Sequence, residues 1–262
     1  MIYKFCAQTD PGKARENNED AVMYDEATGL GVLADGMGGY NAGEVASGMA
    51  AQFIHSEMAR WLTETGRQAG AKDIRRALEI CVDNANLAIF NAANNNAQYA
   101  GMGTTLVAGV FQGGSLLVGH IGDSRCYRLR HAELTQITKD HSLLQEQIDA
   151  GLLTPEQAQT SLNKNLVTRA LGVDDSVMLE INEYLVEPGD LYLMCSDGLS
   201  DMVKNADIAE ILEWPISLEQ RARGLIDAAN ARGGRDNITV LLVQAELEPE
   251  KRSLIARMLG SW

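Results

Sequence analysis

Residues 104–138 read TTLVAGVFQ, GG, SLLVGHIG, D, SRCYRLR, HA, ELTQIT: four short β-prone runs with almost nothing between them. A parallel crossover needs about a dozen or more residues, usually a helix, whereas Gly-Gly and His-Ala offer only tight turns. These runs therefore read as an antiparallel meander, which excludes an all-parallel α/β fold. Helical periodicity lies on either side of them. Ala46, Met49, Ala50, Phe53, Ile54, Met58, Trp61 and Leu62 form one apolar stripe. Ile74, Ala77, Leu78, Cys81, Ala85, Ala88, Ile89 and Ala92 form a second, on a helix expected over 71–95. Further strands are expected at 2–8, 21–24, 30–34, 178–186, 190–196 and 238–247, and helices at 207–213 and 217–231. A polar helical stretch follows Asp140, with Thr154-Pro155-Glu156 as a fresh helix start. Strands that outnumber helices, with the helices arriving in pairs, predict a layered α+β domain of antiparallel sheets covered by helix pairs. Its expected bounds are 1–247, with 248–262 as an appended tail that reads as a short helix.

The chain of 262 residues carries a formal net charge of −14, which disfavours a nucleic-acid or anionic-membrane surface. Its N-terminal apolar run is too short for a signal peptide, and no run approaches a membrane span. The four cysteines, Cys6, Cys81, Cys126 and Cys195, form no CxxC pair. They read as reduced, buried thiols of a cytoplasmic protein.

The acidic residues are informative by position. Glu19 and Asp20 open a strand, Asp35 closes LGVLA, and Asp123 sits in the turn between HIG and SRCY. Asp197 closes LYLMCS, and Asp236 precedes ITVLLV. Most have glycine beside them, at Gly36, Gly122, Gly198, and Gly233 with Gly234. One Asp-Gly pair alone is a turn. Several carboxylates on strand ends can share a rim only if their repulsion is relieved, and divalent cations relieve it. Oxygen-only ligation selects Mg²⁺ or Mn²⁺ over zinc. Arg15, four residues before Glu19, adds a planar fork suited to phosphate.

With those residues in view, the sequence resembles the metal-dependent protein phosphatases of the PPM (PP2C) type, and more closely their bacterial members. The motifs run in the family's order: RENNED (15–20), DGMGG (35–39), GMGTT (101–105), GDSR (122–125), DHS (140–142), TRALG (168–172), SDGL (196–199) and RDNIT (235–239). The resemblance spans residues 1 to about 245 and implies a four-layer αββα sandwich. It also implies a protein serine/threonine phosphatase that opposes a bacterial Ser/Thr kinase and acts on phosphorylated proteins as a monomer. The family's two-metal site implies that Asp35 bridges two Mn²⁺ or Mg²⁺ ions, with Asp197 and Asp236 on one ion and Glu19 and the Gly36 carbonyl on the other. Asp20 is expected to orient metal-bound water and Arg15 to grip the phosphate. A third ion would use Asp123 and Asp197, with Asp201 or Asp140 as the further ligand. A metal-bridging hydroxide would then be the nucleophile. No CX5R signature is present, so Cys195 is expected in the core rather than in catalysis. His141 is expected to be a structural hydrogen-bonder. The segment from about 143 to 168 matches the family's flap over the site. Met37 stands where animal members carry histidine, Tyr40 where many bacterial relatives carry histidine, and Ser161-Leu162 where a His-Pro pair is common.

Overall fold

The computed structural model describes residues 1–38, 42–65, 69–154, 157 and 166–248. Its strands are β1 (Ile2–Asp10), β2 (Asp20–Asp25), β3 (Leu30–Met37), β4 (Gly103–Thr104), β5 (Leu106–Gln112), β6 (Ser115–Ile121), β7 (Arg125–Arg130), β8 (Glu133–Gln136), β9 (Glu180–Leu185), β10 (Leu191–Cys195) and β11 (Ile238–Glu246). Its helices are α1 (Ala42–Thr65), α2 (Ala71–Asn95), α3 (Leu143–Asp149), α4 (Asp197–Ser200), α5 (Asn205–Leu212) and α6 (Leu218–Ala231). One sheet runs β1-β11-β10-β7-β8 and the other β2-β3-β5-β6-β9, with β4 paired to β3, and every pairing is antiparallel.

Alternation along the strands builds three apolar layers, because successive side chains leave opposite faces of a sheet. In β11, Leu241 and Val243 enter the space between the sheets, while Val240 and Leu242 face α4, α5 and α6. In β3, Leu33 points between the sheets and Val32 and Ala34 pack under α1. The middle layer is closed by Phe111, whose ring lies edge-on 5.2 Å from Tyr192 and 5.7 Å from Phe5. Both faces of these strands are covered, so they read as nearly continuous apolar runs. The order helix pair, sheet, sheet, helices is the αββα sandwich expected from the sequence.

The meander is the main correction. β5 and β6 pair with each other, as do β7 and β8, but β6 does not pair with β7. The chain instead crosses from one sheet to the other at Gly122-Asp123-Ser124. Gly122 turns there with φ +96°, and a Cβ on it would meet the Thr105 side chain at 2.7 Å. The free edge of β6 is taken by β9 and that of β7 by β10. Two strand-end expectations also shift. β3 runs on past Asp35 because Gly36 and Met37 pair with Thr104 and Gly103. Asp197 opens α4 directly after β10.

The helix after Asp140 spans only Leu143–Asp149. Pro155, Glu156 and residues 158–165, including Ser161-Leu162, lie outside the described residues, as do Tyr40 and the tail from 249 onward. Among the described residues no helix is long and apolar enough to cross a membrane.

Candidate metal and phosphate site

Asp20 and Asp35 stand directly opposite each other across the β2–β3 ladder. Backbone pairing therefore forces two carboxylates together before any long-range contact is made. Asp35 is fixed at its main chain: its N–H donates to Thr105 Oγ1 at 3.0 Å, and its carbonyl accepts from Thr105 N–H and Thr104 Oγ1, both at 2.9 Å. Thr105 Oγ1 also meets Ser124 Oγ at 2.7 Å, tying the strand that carries Asp35 to the crossing that carries Asp123.

The other sheet supplies the facing rim. Ser196, at the end of β10, donates to Asp20 Oδ2 at 2.8 Å and accepts from Thr239 N–H at 3.0 Å. A Cβ on Gly198 would lie 2.0 Å from the Asn237 carbonyl, so α4 sits on the start of β11 and only glycine allows it. That approach sets Asp197 beside Asp236. Gly36 has a similar reason: a Cβ there would meet Gly43 O at 2.2 Å and Glu19 O at 2.5 Å. Its N–H donates to Glu19 O at 3.0 Å, and the Ser47 hydroxyl donates to the same carbonyl.

Residues 11–19 link β1 to β2 and carry Arg15 and Glu19 along the rim. Arg15 Nη2 pairs with Asp236 Oδ2 at 2.8 Å while about half of the arginine side chain stays exposed. Asn237 accepts from Glu19 N–H at 2.8 Å and donates to the carbonyls of Pro11 and Asn17 at 3.0 and 2.9 Å.

Electrostatics tie these groups into one site. Burial holds the Asp35 carboxyl well above the usual range, and the charges of Asp20, Asp197, Asp123 and Asp236 push it further. Asp197 is raised for the same reason, by burial first and then by Asp123, Asp201, Asp236 and Asp20. Burial lifts Asp20 to about 6, opposed by the neighbouring Thr239, Ser196 and Asp35 side chains. Burial and the neighbouring Asp140 lift Asp123 to about 6. Glu19 is raised by burial and lowered by Arg15. Asp20 Oδ1 is a buried oxygen with no hydrogen-bond partner among the described residues. Oxygen-only donors crowded at one rim, one of them a buried acceptor without a donor, fit hard divalent cations.

The structure thus brings Arg15, Glu19, Asp20, Asp35, Gly36, Asp123, Asp197, Asp201 and Asp236 to neighbouring strand and helix ends. Asp140 is placed differently. It is gripped by Arg125, Nη2 to Oδ2 at 2.7 Å, and accepts from Gln136 at 2.9 Å. Asp140 and Asp201 both border Asp123, and Asp201 also borders Asp197. Cys195 is fully buried, and burial pushes its thiol up to about 12, so it lies in the core as expected. Sequence reasoning missed Ser196, Thr105 and Asn237. For Ser196 and Asn237 the available signal was a hydrogen-bonding side chain directly flanking a candidate carboxylate, Asp197 or Asp236; Thr105 has no such neighbour in the sequence.

Among the described residues, His120, His141 and Glu180 also cluster. The two imidazoles stack 4.7 Å apart with only 13° between their planes. A ring nitrogen's lone pair lies in its own ring plane, so these pairs run side by side rather than converge on an ion. His141 Nδ1 is already an acceptor for Gly122 N–H at 3.2 Å, and its backbone N–H donates to Gly122 O at 2.8 Å. The cluster braces the crossing next to Asp123.

Residues 12–240 match the family model for Protein phosphatase 2C, and the chain belongs to that family. It is similar to the serine/threonine phosphatase stp of Listeria innocua, 37% identical over 250 residues covering 94% of this chain and 97% of that protein. It is also similar to the serine/threonine protein phosphatase PstP of Mycobacterium tuberculosis, 41% identical over 243 residues, which are 92% of this chain and 45% of PstP. The crystal structure of the PstP catalytic domain in complex with two manganese ions superposes with a TM-score of 0.82 at 39% identity, covering 94% of this chain and 99% of that one.

Proposed function

We propose that this chain is a Mn²⁺- or Mg²⁺-dependent phosphoprotein phosphatase that hydrolyses phosphoserine and phosphothreonine. The observation that carries this reading is the convergence of Asp20, Asp35, Asp123, Asp197 and Asp236 on one rim, with Arg15 resting on Asp236. Asp35, Asp197, Asp236, Glu19 and the Gly36 carbonyl would hold two ions, and Asp123 and Asp197 with Asp201 a third. When bound, such ions supply a water acidified toward neutral pH and positive charge for the phosphoryl oxygens. The chain's own residues do the rest. Arg15 has five donors and spends one on Asp236, leaving its fork open for two oxygens of a phosphate. Asp20, held at Oδ2 by Ser196, keeps Oδ1 as a buried acceptor that would orient the attacking water. The thiol of Cys195 takes no part.

The phosphate esters it removes are made by Ser/Thr kinases, and we place the enzyme opposite such a kinase. The four buried free cysteines favour a reducing, cytoplasmic setting. The test is hydrolysis of p-nitrophenyl phosphate and of a phosphothreonine peptide with Mn²⁺, before and after EDTA. Turnover should need the metal and vanish in Asp35→Asn with the fold intact. Metal-independent turnover, or none with fresh Mn²⁺, would sink the proposal.

A further inference from the structure

The arm from residue 11 to residue 19 has no secondary structure of its own, yet it carries both Arg15 and Glu19. Its first half is caught by backbone: Lys13 and Ala14 N–H donate to Gly234 O at 2.7 and 3.2 Å. Asn237, only 5% exposed, reaches it on both sides of Arg15. Its Nδ2 donates to Pro11 O at 3.0 Å before Arg15 and to Asn17 O at 2.9 Å after it, and its Oδ1 accepts from Glu19 N–H at 2.8 Å.

We propose that Asn237 is the positioning residue that locks this arm to the start of β11, so that Arg15 and Glu19 meet the Asp236 side of the rim in one fixed register. The chemistry explains why asparagine stands there. One acceptor and two donors in a single plane satisfy one N–H and two carbonyls, and each amide hydrogen is used. Aspartate keeps the acceptor but would face two carbonyl oxygens without a donor. Serine offers one donor, and glutamine is a methylene too long. Because residue 237 follows Asp236 directly, the same turn of chain that places a proposed metal ligand also places the phosphate-binding arm. The assignment rests on the roles proposed above for Arg15 and Glu19.

The test combines hydrogen exchange with a double-mutant cycle on the Mn²⁺-loaded protein. In Asn237→Ala, amides of residues 11–19 should exchange on the order of tenfold faster while β10 and β11 keep their protection. KM for p-nitrophenyl phosphate should rise on the order of tenfold in the wild-type background and by less than about twofold in an Arg15→Ala background, because the arm then has no fork to position. Unchanged exchange in 11–19 overturns the proposal. So do equal KM increases in both backgrounds, which would mark a general structural role. Arg15→Ala alone separates the two readings. If it raises KM while the Asn237 effect is additive, the phosphate role stands and the positioning role fails; if it leaves KM unchanged, the phosphate role itself fails and the positioning role falls with it. Should Asn237→Ala melt below the assay temperature, Asn237→Asp, which keeps the volume and the Glu19 acceptor, is read in the same way.

Discussion

Asp123→Asn should stabilise the metal-free protein at neutral pH, although it deletes a residue proposed to bind an ion. Asp123 is 8% exposed, and burial with the nearby charge of Asp140 lifts its carboxyl from 3.8 to about 6. A group whose folded pKa is raised binds its proton more tightly in the native state. Its contribution is therefore fully favourable below about pH 4 and is lost as pH climbs to about 6. A displacement of roughly two pH units corresponds to about 3 kcal/mol against folding once the group is ionised. Asparagine has nearly the same shape and no charge, and it also relieves Asp35 and Asp197, both of which feel Asp123. The expected gain at pH 7.5 is up to about 3 kcal/mol, or roughly 6–12 °C in Tm for a chain of this size. Urea unfolding in EDTA at pH 4.5 and 7.5 measures it. The gap between variant and wild type should be small at pH 4.5 and open at pH 7.5, and saturating Mn²⁺ should close or reverse it, since ions bind the ionised site. A variant less stable than wild type in EDTA at pH 7.5, or a gap independent of pH, would refute the reasoning.

Two further substitutions probe the frame around the site. Gly36→Ala would put a methyl 2.2 Å from Gly43 O and 2.5 Å from Glu19 O, both main-chain atoms, and should lower stability by about 1–3 kcal/mol while weakening Mn²⁺ binding measured by calorimetry. Arg130→Met, at the opposite sheet end, should lower stability at pH 7 by up to about 3–5 kcal/mol in urea unfolding and leave kcat of the folded enzyme unchanged. Arg130 holds Asp190, 1% exposed, through two bonds of 2.7 Å, and with Glu187 N–H and Tyr192 it keeps that carboxyl below the usual range despite burial. Stability tied to a lowered carboxyl fades as pH falls through its folded pKa, so the deficit of the variant should shrink toward acid.

The helix faces were legible because their stripes are local: Ile74 to Ile89 announce one face without help from the rest of the chain. Val240 to Val243 announce only a strand covered on both faces, and which side chain meets which layer follows from the sheets. The crossing at Gly122-Asp123-Ser124 was not legible, because a Gly-Asp turn looks the same whether the next strand pairs with the last one or joins another sheet. Only the competing edges, β9 on β6 and β10 on β7, decide it. The carboxylates stood out by position, and Asp20 opposite Asp35 follows from the register of one short β2–β3 connection. Their supports did not stand out. Ser196, Thr105 and Asn237 act across partners far away in sequence, such as Asn237 with Glu19 and Pro11. For the same reason the grip of Arg125 on Asp140 was not legible.

Calorimetric titration of Mn²⁺ into the EDTA-treated, dialysed protein tests the central proposal most directly, namely that carboxylates from two sheets form one cation site around Asp35. Wild type should take up two ions per chain in its tight phase, ahead of the weaker third, with heat that depends on pH between 5 and 7, and Asp35→Asn, still folded by circular dichroism, should lose both the tight stoichiometry and the affinity. Retention of two ions at wild-type affinity in Asp35→Asn would contradict it.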